Sequence, residues 1–108
     1  MNSLPRKKAI DMAEAIKLFL KESGLEAGHN VQRIYAAWDE ASMASVHTIS
    51  KYYRDGILYV TLRSSMARTH IQMQKRDILR QMNVILSKDP LFVRKDSETE
   101  YVKEIVLK

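Results

Sequence analysis

The dipeptide Asp55-Gly56 constrains this chain more than any other pair, because it separates two runs rich in β-branched and aromatic residues, HTISKYY before it and ILYVTLR after it. Two such runs joined by Asp-Gly predict a β-hairpin, with Gly56 supplying the positive φ of the turn at little steric cost. Leu58, Val60 and Leu62 alternate onto one face, which must be covered by something apolar. The cover follows at once. Ser64 or Ser65 caps a long helix in which Ala67, Ile71, Ile78, Met82 and Ile85 form an inward stripe, with Leu79 and Leu86 beside it. Pro90 ends that helix by disfavouring helical geometry in Asp89.

Two more helices precede the hairpin. Ile10, Ala13, Ile16, Phe19 and Leu20 recur at helical spacing between Arg6 and Ser23, bracketed by Pro5 and Gly24. A second helix is expected after Gly28-His29-Asn30, with Asn30 as its N-cap and Val31, Ile34, Tyr35 and Trp38 on its apolar face. Beyond Pro90, the polar run RKDSETE at 94–100 reads as a mobile connector, and YVKEIVLK alternates as a third strand. The expected fold is therefore α+β in the order α-α-β-β-α-β, a three-stranded sheet packed against helices. With 108 residues there is room for one core, so residues 1–108 are read as one domain, 1–29 being an N-terminal helix and lead-in and 30–108 its core.

Charge is segregated. The net charge is +5, and residues 51–80 alone contain Lys51, Arg54, Arg63, Arg68, Lys75, Arg76 and Arg80 against only Asp55 and Asp77. The flanking parts balance to zero. A concentrated field of one sign attracts polyanions or acidic protein surfaces, and the predominance of arginine favours forked contacts to phosphate or carboxylate. Those seven residues are the candidate nucleic-acid or partner-binding set.

Other chemistries find little support. Cysteine is absent, which removes disulfides, thiolate metal sites and cysteine nucleophiles. No stretch has the length of a membrane span or the pattern of a secretory signal, so the cytoplasm is the expected address and no membrane partner is expected. His29, His47 and His70 lack metal-ligand spacing, the three glycines are isolated, and Ser64 and Ser65 have no nucleophile elbow. No catalysis, metal or cofactor is expected. Asp39 and Glu40 read as a solvated face, and Trp38 as core. Tyr52, Tyr53 and Tyr59 fit equally a strand that favours aromatics and a surface that stacks bases.

Trp38, then His47-Thr48, then DGILYVTLRSS, then an arginine-bearing helix ending ILRQMN, together resemble the DciA family of bacterial proteins, long catalogued as a domain of unknown function. The resemblance runs over about residues 30–107 and is most specific from Asp55-Gly56 to Asn83, through Leu58, Val60, Ser64, Ser65, Arg68, Ile71, Ile78, Met82 and Asn83. It implies a KH-like fold acting in DNA replication. The implied role is a non-catalytic loader that binds the replicative DnaB-type helicase and helps place it on single-stranded DNA, with double-stranded DNA a further candidate ligand. The alternatives are an adaptor that uses the same basic surface on protein with little DNA binding, and a general nucleic-acid-binding domain.

The chain departs from the family pattern in places. Ser42-Met43 stands where a glycine is common, in a connection about two residues shorter than usual, and His70 stands where short members often carry an acid. The Gly-x-x-Gly loop with which KH domains clamp a backbone is missing. Longer members continue past the third strand into a mobile tail. The expectation here is a domain acting by itself, with Arg6-Lys7-Lys8 as the comparable appendage.

Overall fold

The computed structural model describes the backbone of residues 4–93 and 101–108, with side chains from residue 12 onward. Along the chain run α1 (Leu4–Ser23), α2 (Glu26–Ser42), a single 3-10 turn (Ser45–His47), β1 (Thr48–Arg54), β2 (Ile57–Leu62), α3 (Ser65–Lys88) and β3 (Glu104–Leu107). The expected order α-α-β-β-α-β and the α+β class are what the structure has. The expected connector, 94–100, and the side chains of Arg6, Lys7 and Lys8 lie outside the described residues.

The sheet is mixed, in the order β1-β2-β3. Antiparallel β1 and β2 pair Arg54 with Ile57 across a turn in which Asp55 and Gly56 both have positive φ, 52° and 83°. This is the left-handed pair that a two-residue hairpin turn requires. β3 runs parallel to β2, Ile57 opposite Glu104 and Val60 opposite Leu107. Parallel neighbours need a crossover, and α3 supplies it. The side chain of Ser64 caps α3 by accepting from the Ala67 N–H at 3.1 Å.

Leu58, Val60 and Leu62 point toward the helices with Ile105 of β3. They meet Ile34, Ala37 and Trp38 of α2 and Ile71, Ile78, Met82 and Leu86 of α3 in one core. Trp38 is fully buried at its centre and donates its indole N–H to Thr48 Oγ1 at 3.2 Å. That hydroxyl donates in turn to the Ala44 carbonyl at 2.7 Å, so one chain of bonds fixes the end of α2 to the start of β1.

Four local expectations change. Helix α2 starts at Glu26, and Asn30 lies inside it rather than capping it. Asn30 reaches instead across the fold, donating to the Val93 carbonyl and accepting from the Val93 N–H, both at 2.9 Å. The third strand is shorter than YVKEIVLK, because the N–H groups of Tyr101 and Val102 bond the side chain of Asn83 in place of a strand partner. The stripe on α1 is only partly inward, with Leu20 buried but Phe19 62% exposed. The cause is that α1 packs chiefly on α2, at one end of an elongated molecule of 54 × 29 × 24 Å. Lastly, Asp39 does not lie on a solvated face but is half-buried, with both carboxylate oxygens 3.1 Å from Lys51 Nζ.

The connection at Ser42-Met43 has a backbone conformation that suits glycine. Met43 ends α2 in the left-handed conformation, φ 53°, with its N–H bonded to the Asp39 carbonyl at 3.1 Å. Glycine adopts that conformation freely, whereas a residue with a Cβ holds it at a cost of about 1 kcal/mol.

Candidate nucleic-acid interface

The fold divides the seven basic candidates into three groups. Two are held by carboxylates at the margins of the core. Lys51, on the helix-facing side of β1, grips Asp39 and lies 5.5 Å from the Tyr35 ring centroid. Lys75 runs its stem along α3 to place Nζ 3.7 Å from Glu104 on β3. Each ties a helix to the sheet. Their alkyl stems cover apolar surface while their charges are already partnered across the fold.

A second pair lies on the strands. Arg54 ends β1 beside the hairpin turn, exposed, 3.5 Å from the equally exposed carboxylate of Asp55. An ion pair this open to water contributes little and yields easily to another anion. Arg63 follows β2 at the other end of the row, with its backbone N–H bonded to the His47 carbonyl at 2.8 Å and its side chain exposed. Among the described residues it has no carboxylate partner.

The third group lies on α3. Arg68, one turn from the Ser64 cap, and Arg76 are exposed and have no carboxylate partner among the described residues. Arg80 donates to Asp77 Oδ1 at 2.6 Å, one turn back on the same helix, and both side chains are exposed. Arg76 and Arg80 border a shallow groove of about 420 Å³ floored by Leu79, Asn83, Val84 and Val102. Arg63 and Arg68 flank the junction where β2 turns into α3, Arg63 just past the strand and Arg68 in the first turn of the helix.

The tyrosines also separate. Tyr53 faces inward, its hydroxyl donating to the Tyr101 carbonyl at 2.8 Å and its backbone N–H donating to the Tyr35 hydroxyl at 3.2 Å, so its role is structural. Tyr52 and Tyr59 point the other way and sit opposite one another in the register. The remaining candidates for chemistry are accounted for in the fold or stand alone. His29 Nε2 lies 2.6 Å from the Leu91 carbonyl, while His47 and His70 are exposed. Among the described residues no group of three or more histidines and carboxylates could hold a metal ion, and no helix is long and apolar enough to cross a membrane.

Two structural residues escaped sequence reasoning. Asn83 joins α3 to the lead of β3, and Asp89, with its side chain almost fully buried, takes an Arg33 Nε–H at 2.6 Å. The signal for the first was a polar side chain set between Met82 and Ile85 of the apolar stripe, at the last residue of the Asp55-to-Asn83 motif. For the second it was a carboxylate directly before the helix-ending proline.

Comparison with known proteins completes the assignment. The model of the family described as "Dna[CI] antecedent, DciA" matches residues 11–91, well over half of the chain. The match takes in most of α1, begins before residue 30 and stops short of β3, and it contains the whole of the Asp55-to-Asn83 motif. No curated protein and no solved structure gives a significant match. Helix order, hairpin, arginine-bearing α3 and family model agree, and the chain belongs to the DciA family, non-enzymatic loaders of the DnaB-type helicase in DNA replication.

Proposed function

We propose that this domain performs the loading role by holding single-stranded DNA as well as the helicase, with Arg54, Arg63, Arg68, Arg76 and Arg80 as the phosphate-contacting set. The observation that carries the reading is the exposure of Arg63, Arg68 and Arg76 without carboxylate partners among the described residues. Arg68 and Arg76, and Arg63 through the groups other than the Nε–H it donates to the Val46 carbonyl at 3.4 Å, have no carboxylate among the described residues to compete with forked contacts to phosphate oxygens and release of the counter-ions condensed on the strand. Lys51 and Lys75, first counted with them, have structural roles and leave the set.

The test is a salt titration of binding to a labelled single-stranded oligonucleotide. Reversing charge at Arg76→Glu and Arg80→Glu together is expected to weaken binding by about tenfold or more at low salt. The slope of log affinity against log salt should shrink by roughly 1.4, two cations at about 0.7 each for single strands. An unchanged affinity and slope in the double variant would remove α3 from the DNA surface.

A second reading has an observation of its own. The groove beside Arg76 and Arg80 has an apolar floor in Leu79, Val84 and Val102, which suits a peptide carrying acidic and apolar side chains better than a bare sugar-phosphate backbone. On this reading the groove engages an acidic face of the helicase. The same double variant separates the two, because it would then elute apart from the helicase while keeping its full affinity for DNA.

A further inference from the structure

Side chains alternate along a strand, so the sheet has a face turned to the helices and a face turned away. On the outward face, Tyr52 of β1 and Tyr59 of β2 are register partners, with ring centroids 6.1 Å apart and planes inclined by 35°. Val106 of β3 lies on the other side of Tyr59, and Tyr52 remains 56% exposed. The helices pack on the opposite face. Cations border this patch on several sides. Lys108 places its ammonium 5.3 Å from the Tyr59 centroid, and Arg54 and Arg63 stand at the two ends of the row, roughly 20 Å apart at the usual strand rise.

An exposed aromatic ring backed by a second one amid arginine and lysine has a definite chemical complement. Tyr52 offers a π-face to a planar group, the half-buried Tyr59 with the Lys108 ammonium over its ring supports it from the next strand, and the surrounding cations offer partners to negative charges spaced along a chain. A duplex keeps its base faces stacked internally and cannot use the rings. A second copy of this sheet would bring Arg54, Arg63 and Lys108 against their own counterparts, which like-charge repulsion opposes. A single strand supplies both the planar groups and the regular anions.

We infer that the outer face of the sheet is a base-stacking platform for single-stranded DNA, centred on Tyr52 and Tyr59. The inference rests on the DNA-binding reading above and adds to it a site for bases. The strand crosses the rings between Arg54 and Arg63, then passes the junction at Arg63 and Arg68 onto α3. Stacking on a tyrosine is indifferent to base identity, so the platform gives affinity with little sequence preference.

Anisotropy titrations with a labelled thymidine oligonucleotide and with an abasic deoxyribose-phosphate chain of the same length test this. The unaltered protein should bind the thymidine chain about tenfold more tightly than the abasic one. Tyr52→Phe, which keeps the ring, should preserve that preference. Tyr52→Thr, which keeps a strand-favouring residue but removes the ring, should bring the two chains close to parity without altering the salt slope. Equal binding of the two chains by the unaltered protein would overturn the platform while leaving the phosphate contacts standing, and this comparison needs no variant to fold. A thymidine preference that survives in Tyr52→Thr would overturn it as well, as would a dimer that Tyr52→Thr dissociates while leaving DNA affinity unchanged. Failure of the unaltered protein to bind either chain would remove the DNA-binding reading itself, and the platform with it.

Discussion

Trp38→Ala is expected to lower the unfolding free energy by about 3–5 kcal/mol, measured as a shift of the urea midpoint at constant slope. The indole is fully buried among residues of α2, α3 and the sheet, so its removal loses the transfer energy of the ring and leaves a cavity that three elements would have to collapse into. It also deletes the bond from Nε1 to Thr48 Oγ1. Small domains have only about 5–15 kcal/mol in total, so the variant should be at the edge of folding at growth temperature. Trp38→Phe keeps most of the volume and is expected to lose less than half as much. A loss of under 1 kcal/mol for the alanine variant would mean that the ring is not the centre of the core.

Asn83→Ala has the second largest expected effect, and it acts on β3 rather than on the core as a whole. Asn83 Oδ1 accepts from the N–H groups of Tyr101 and Val102 at 2.8 and 3.0 Å, while Nδ2 donates to the Val102 carbonyl at 2.9 Å. Tyr101 and Val102 are themselves buried. Alanine leaves three backbone groups without those partners at roughly 1–3 kcal/mol each, a total that water entering beside the half-exposed position reduces to about 2–4 kcal/mol. β3 has only four paired residues, and Asn83 fixes the segment that leads into it. The amides of β3 should therefore exchange with solvent faster in the variant while those in the middle of α3 keep their protection. Uniform acceleration across both elements would show that Asn83 stabilises the whole domain and not this one attachment.

The hairpin and α3 were legible because their signals are local. Asp55-Gly56 requires the turn by backbone geometry alone, and a stripe such as Ile71, Ile78 and Met82 reports its own buried face. Asn30 was misread because an asparagine ahead of an apolar run is the ordinary mark of a helix start, whereas its real partner, Val93, is 63 residues away. The same limit applies to charge. Counting basic residues put Lys51 and Lys75 with the arginines, and nothing local says that Asp39 and Glu104 would be folded against them. The tyrosines needed the register. Tyr52 and Tyr53 are adjacent in sequence, yet one faces solvent and the other binds Tyr101, and the irregular pairing between Thr48 and Ser50 shifts which residues of β1 face outward.

What remains of the basic block after these subtractions is more specific than the block itself. Two arginines stand on the sheet face, three stand on α3, and Arg63 and Arg68 link the two sets across the β2–α3 junction. A loader needs a surface for the strand and a surface for the ring it places there. The sheet face with its tyrosines is proposed for the first, and on the second reading the apolar-floored groove bordered by Arg76 and Arg80 would serve the other.

The most direct measurement is loading of the replicative helicase from the same source onto closed circular single-stranded DNA, read as helicase retained on the circles after a wash. A closed circle has no end to thread, so retention reports placement by a loader. Addition of this protein is expected to raise the retained helicase several-fold, and the Arg76→Glu, Arg80→Glu variant is expected to lose most of that gain. Retention that is the same with and without the protein would contradict the claim that this domain joins helicase to single-stranded DNA.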